Sequence, residues 1–214
     1  MKVIFLDVDG VLNCIDTTDL CGGYVGIENA KVKLLRRIVE ATGAEIVLTS
    51  TWKDGWSKTD KDKKQDVFGC FLDRELERES LVILDKTEDD GVHRGKGIRD
   101  WMKSRDVESF VSLDDHHYDY LEQGLSGCHV KTEFYDENGG LNEEHVVLAV
   151  EKLGLRKPRI DEMTLGVLIC YRNQYCSEGN DTENGIVANA INEVLPILFE
   201  AREEDNDLQR KTET

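Results

Sequence analysis

Two aspartates one residue apart, Asp7 and Asp9, follow directly on the apolar run Val3-Ile4-Phe5-Leu6, and a glycine, Gly10, follows them. The run is rich in β-forming residues and reads as a buried strand, whose side chains repeat direction every two residues. Asp7 and Asp9 therefore project from the same side at the strand's C-terminal end, where Gly10 lets the chain turn sharply. Two carboxylates held this close repel each other unless a cation or a proton sits between them. Such a pair suits magnesium-dependent phosphoryl transfer. A calcium loop also contains D-x-D-G, but it needs further ligands along the loop and a helix on each side; this pair ends a strand.

Three further groups have the types and places to complete such a site. Thr49 and Ser50 follow the strand-like run Glu45-Ile46-Val47-Leu48, where hydroxyls could meet phosphoryl oxygens or simply begin a turn. Arg94 and Lys96 open a helix, and either cation could balance neighbouring carboxylates. Asp114 and Asp115 end the run Phe110-Val111-Ser112-Leu113 and could hold a metal or cap a helix. His116 and His117 come next, but adjacent histidines in a loop lack the i, i+4 spacing of a helical zinc site. Asp119 reads as a solvated side chain that could still orient the basic residue.

These residues need elements to position them. Glu28 to Thr42 carries Val32, Leu34, Leu35, Ile38 and Val39 at helical spacing and stops at Gly43, a C-cap. Cys14 to Ile27 reads as a loop or short hairpin, Lys58 to Lys64 as a solvated polar stretch, Val67 to Glu79 as a helix and Leu81 to Leu84 as a strand. Gly95 to Ser104 is expected to be helical, Cys128-His129-Val130 a short strand, and Glu143 to Leu153 a helix. Alternating strands and helices predict a parallel sheet covered on both faces, with ligands beyond the strands' carboxyl ends. The chemical residues above fall at those ends. Arg156-Lys157-Pro158-Arg159 marks a boundary between an α/β domain over residues 1–155 and a linker with a helical extension over 156–214. The extension's expected helices, Glu162 to Tyr175 and Glu183 to Arg202, carry apolar stripes that would dock in cis or form a dimer. The charged tail beyond them is expected to fray.

The 214 residues suffice for one good-sized core. A formal charge of −17 repels nucleic-acid phosphates and acidic membranes at long range, which argues against extended nucleic-acid binding. Screening within about 8–10 Å leaves room for a local site that takes a small phosphorylated substrate or a strand end. No apolar run is long enough to span a bilayer, so no membrane partner is expected. The six cysteines form no C-x-x-C pair, and the first residues lack the order of a signal peptide. A reduced, cytoplasmic compartment is the expectation.

In chain order, Asp7-x-Asp9-Gly10, Thr49/Ser50, Arg94 or Lys96, and Asp114-Asp115 resemble the four motifs of phosphatases of the haloacid dehalogenase (HAD) superfamily. Leu12-Asn13, Val47-Leu48-Thr49-Ser50-Thr51-Trp52-Lys53, Arg94-Gly95-Lys96-Gly97-Ile98-x-x-Trp101, and Leu113-Asp114-Asp115 with Thr132 and Gly140-Leu141 sharpen the likeness. They are similar to the small-capped HAD domains of bacterial and phage proteins and of Swiss-Army-knife RNA repair proteins. The likeness spans roughly residues 1–154.

It implies a Rossmann-like, three-layer α/β fold with a minimal cap, and a Mg²⁺-dependent phosphomonoesterase. On that resemblance Asp7 is the nucleophile, forming an aspartyl-phosphate, and Asp9 is the general acid and base. Mg²⁺ would be held by Asp7, the carbonyl of Asp9 and either Asp114 or Asp115, with Asp115 favoured as lying one place further beyond the strand. Thr49, Ser50 and the backbone around Gly10 would bind phosphoryl oxygens. Arg94 or Lys96 would balance charge, and the family's RG-x-x-I pattern favours Arg94. Dehalogenases lack the second aspartate of the first motif, so Asp9 argues against that chemistry. A small cap implies an open cleft suited to nucleic-acid ends or phosphoproteins. The competing reading is a non-catalytic binding or regulatory module that keeps the fold.

Overall fold

A computed structural model describes residues 1–59 and 66–154, with the helical positions 167–170, 172, 187, 191 and 195. The chain forms two compact units, Met1–Arg156 and Lys157–Thr214. Most of the expected polar stretch at Lys58–Lys64, and of the two C-terminal helices, lies outside the described residues.

The main elements of the first unit begin with β1 (Lys2–Leu6), a hairpin of β2 (Leu20–Cys21) and β3 (Tyr24–Val25), α1 (Asn29–Thr42) and β4 (Glu45–Leu48). A 3₁₀ turn (Thr51–Gly55), α2 (Val67–Glu77), β5 (Ile83–Lys86) and α3 (Arg94–Met102) follow. The last are β6 (Ser109–Asp114), β7 (His129–Lys131) and α4 (Glu143–Leu153). Among the described residues, five strands form one parallel sheet in the order β5-β4-β1-β6-β7. The first strand of the chain is thus the central one. Its Leu6 pairs with Leu48 on one side and Leu113 on the other.

Alternation along β1 divides the core. Ile4 and Leu6 pack with Val32, Leu35 and Ile38 of α1, Leu72 and Leu76 of α2, and Val146, Ala149 and Leu153 of α4. Val3 and Phe5 face the other way, against Ile98 and Trp101 of α3 and against Tyr120 and Leu125. Helices therefore cover both faces, giving the three-layer, Rossmann-like α/β architecture. Each large aliphatic side chain buried this way contributes roughly 1.5–3 kcal/mol, so the central strand, fully buried from Val3 to Leu6, is the anchor of the sheet.

Most boundaries follow local rules. α1 ends at Gly43 in the left-handed conformation, its N–H returning to the Val39 carbonyl. α2 starts after Asp66, whose carboxylate accepts the N–H groups of Phe68 and Gly69. β5 departs from expectation by starting two residues late and running into Asp85 and Lys86. The Leu81 N–H is already bonded to the Leu76 carbonyl in the turn leaving α2, so pairing begins later. Lys86 ties its ammonium to the carbonyls of Lys53 and Trp56. Polar residues on an edge strand hide its end from a hydrophobicity pattern. No described helix is long and apolar enough to cross a membrane.

Candidate active site

The same alternation builds the floor of the site. Asp7 continues the parity of Val3 and Phe5, Thr49 that of Val47, and Asp114 that of Phe110, so all three turn to the α3 side of the sheet. They sit level with one another: Thr49 N–H donates to the Leu6 carbonyl at 2.9 Å and Asp7 N–H to the Leu113 carbonyl at 3.0 Å. Arg94, the first residue of α3, meets them there. Its Nη1 lies 2.7 Å from Asp7 Oδ2 and 2.8 Å from Asp114 Oδ2, with no side chain of the three more than 4% exposed. Its guanidinium also lies 4.3 Å above the Tyr118 ring. Burial works against the charge of Arg94, but Asp7 and Asp114 outweigh it and raise its pKa. Burial, and then the charge of Asp7, pushes the Asp114 carboxyl well above the usual carboxylate range.

Asp114 and Asp115 have separate surroundings. Asp114 Oδ2 accepts from Arg94 and, at 3.0 Å, from the Tyr120 hydroxyl, while Oδ1 accepts the His116 N–H at 2.9 Å. Asp115 has the opposite parity and lines the open cleft beside Asp7. It lies against Gly10, where an added Cβ would come within 2.6 Å of the Asp115 carboxyl carbon and where φ is +75°. The Gly10 N–H is donated to Asn13 Oδ1 at 2.9 Å. Gly10 therefore turns the chain and makes room for Asp115, rather than offering the N–H to a phosphoryl oxygen as expected. Asp114, Asp115 and His116 can each offer a ligand atom within 4.8 Å of the others, and His116 Nδ1 is 2.6 Å from Asp115 Oδ1.

Asp9 is held by two residues to which the sequence assigned no role. Asn13 Nδ2 donates to its Oδ1 at 2.9 Å, and Trp52 Nε1 to its Oδ2 at 3.0 Å. Burial raises the Asp9 pKa; the two donors pull it down, Asp7 and Asp115 push it up, and the net direction is upward. Asn13 also donates to the Gly26 carbonyl at 2.8 Å, tying the hairpin segment to the Asp9 turn. Trp52 is set by the 3₁₀ turn, which opens with its N–H donating to Ser50 Oγ at 3.3 Å. The available signal was that both lie inside the motif stretches, and that a half-buried carboxylate needs donors.

Thr49 and Ser50 are fully buried, whereas Thr51 lines the cleft. Thr49 Oγ1 and Arg94 Nε are buried without a protein hydrogen-bond partner. Lys96 does not join the site. Its ammonium bonds Asp100 Oδ2 at 2.6 Å, its side chain is 65% exposed, and it lines a separate small cleft with Asp89, Asp90 and His93. Residues two apart on a helix face nearly opposite ways, so Arg94 and Lys96 cannot both reach Asp7. Asp119, expected to be solvated, instead accepts the Gly95 N–H at 2.6 Å and the Lys96 N–H at 3.0 Å, fixing the start of α3. A cap of this kind contributes about 1 kcal/mol.

An aspartate just beyond the central strand, a second aspartate two residues on, a buried arginine from a helix start and an acidic pair at the end of the neighbouring strand define an α/β domain of the HAD class. Residues 3–146 match the family model described as the HAD domain in Swiss Army Knife RNA repair proteins, and the chain belongs to that family. No curated protein and no solved structure matches it.

Proposed function

We propose that the domain is a Mg²⁺-dependent phosphomonoesterase acting through an aspartyl-phosphate on Asp7. The observation that carries this reading is the convergence of Asp7, Asp9, Arg94 and Asp115 on one cleft of about 570 Å³. The groups that would hold the ion are all oxygens: the carboxylates of Asp7 and Asp115 and the carbonyl of Asp9. The missing Cβ of Gly10 lets Asp115 close on that turn. Such a donor set suits a hard cation. When bound, Mg²⁺ would offset the repulsion between Asp7 and a phosphate dianion.

In the first half-reaction an Asp7 oxygen attacks phosphorus, and the bond from phosphorus to the ester oxygen breaks as Asp9 protonates that oxygen. In the second, water attacks the aspartyl-phosphate, Asp9 takes its proton, and inorganic phosphate leaves with Asp7 restored. Arg94 holds Asp7 and balances its charge throughout. The family's description places its members in RNA repair proteins, which supports a nucleotide or nucleic-acid end as the alcohol part.

The protein is expected to release phosphate from p-nitrophenyl phosphate with Mg²⁺ and to stop when EDTA removes the ion. No hydrolysis with any divalent ion at any pH would leave a HAD-fold binding module. Trp52 gives a finer test. p-Nitrophenolate leaves without a proton, whereas an alkoxide needs one from Asp9. Trp52→Phe keeps a ring but removes the donor to Asp9, and a hydrogen bond of that type is worth about tenfold or more. In kcat/KM, which reports only the first half-reaction, an alkyl phosphate should lose about that factor and p-nitrophenyl phosphate much less. Equal losses would show that Trp52 acts by packing alone.

A further inference from the structure

Rings wall the cleft above Asp7. Tyr24 meets Phe68 edge to face at 5.7 Å, Phe68 meets Trp52 at 5.1 Å, and Phe134 pairs with Tyr135 at 5.1 Å. All five line the same cleft as Asp7 and Arg94. Two of them are far from buried: Tyr24 is 70% and Tyr135 79% exposed. Large rings left in water beside a reactive carboxylate offer apolar faces to a ligand bound there. A flat ring is the shape that stacks on them.

Charge narrows the class further. Asp54 and Asp66 also line the cleft, and carboxylates accept hydrogen bonds without donating, which matches the amino and imino edges of a base. Among the described residues that line the cleft, these and Asp7, Asp9 and Asp115 make five carboxylates beside one arginine. That field tolerates one phosphate, held at Asp7, and repels a run of them. The volume, about 570 Å³, falls within the range that holds small organic ligands.

We propose that this aromatic wall is a stacking subsite for the base of a single nucleoside monophosphate unit, free or at the end of a strand, with Tyr24 and Tyr135 as its specificity-determining residues. The proposal rests on the phosphatase reading for the placement of the phosphate. Tyr24 stands on the hairpin of β2 and β3, and Tyr135 in the loop after β7. The hairpin and that loop thus each supply a ring.

The test compares adenosine 5′- and 3′-monophosphate with ribose 5-phosphate, all with Mg²⁺. The wild-type protein should prefer the nucleotides in kcat/KM. Tyr24→Ala and Tyr135→Ala should each reduce that preference about tenfold, mainly through KM, which is what stacking one base is worth. An unaltered preference, or none to begin with, overturns the subsite. A phosphorylated oligonucleotide should match the mononucleotide. One that exceeds it tenfold or more at low salt would replace the single-unit subsite with a strand groove. Preference for a phosphotyrosine peptide would assign the wall to a protein substrate and overturn the proposal. Calorimetric binding of adenosine 5′-monophosphate to Asp7→Asn protein keeps the two readings separate. Weaker binding in both tyrosine variants supports the subsite even if nothing is hydrolysed, whereas undiminished binding overturns it.

Discussion

Asp7→Asn is expected to reduce phosphomonoester turnover by a factor on the order of 10⁴ or more while leaving the fold in place. Asparagine matches aspartate in shape, and its amide oxygen can keep one of the two present donors, the Val8 N–H at 2.8 Å or Arg94 Nη1 at 2.7 Å, while the other is lost. Arg94 keeps Asp114 at 2.8 Å, so its charge remains compensated. What disappears is the anionic oxygen that attacks phosphorus, since the amide nitrogen's lone pair is delocalised. Steady-state rates measure the loss. Acid quenching of a reaction with phosphorus-labelled substrate shows its cause, because label should stay on the wild-type protein and not on the variant. A variant within tenfold of wild type would move the nucleophile elsewhere.

Arg94→Ala should be the most destabilising single change at the site, by about 3–5 kcal/mol, and should also abolish turnover. It strands the carboxylates of Asp7 and Asp114, 4% and 0% exposed, with no cation between them. For a chain of this size such a loss lowers the melting temperature by on the order of 10 °C. Arg94→Lys should recover part of the stability but less of the activity, because an ammonium can pair with the carboxylates but lacks the planar guanidinium that stacks on Tyr118. Lys96→Ala is the matched control. Its exposed pair with Asp100 contributes little, so melting and turnover should stay close to wild type. Equal melting temperatures for Arg94→Ala and wild type would show that the buried triad does not carry the charges drawn here.

Much of this site was legible in the chain. The strand entering Asp7, the helix ending at Gly43 and the run ending at Asp114 are written in spacings of two to four residues. Local backbone geometry enforces those spacings wherever they occur. The order of the short motifs was likewise enough to name the superfamily. β5 lies two residues further along than the apolar run Leu81–Leu84 because an edge strand tolerates Asp85 and Lys86, and a hydrophobicity pattern registers only burial.

The sequence by itself determined which chemical groups stand at the sheet's carboxyl edge: the aspartate pairs, the hydroxyls and a helix-opening cation. Tertiary structure alone decided how they divide. It brought Arg94 and not Lys96 to Asp7, turned Asp114 down onto that arginine, and left Asp115 facing the cleft beside Gly10. It also delivered Trp52 to Asp9 across 43 positions of sequence and gathered Tyr24, Phe68 and Tyr135 into one wall. The reason is physical. Periodicity fixes which way a side chain points from its own element, but a partner at a distance along the chain is chosen by how the elements pack.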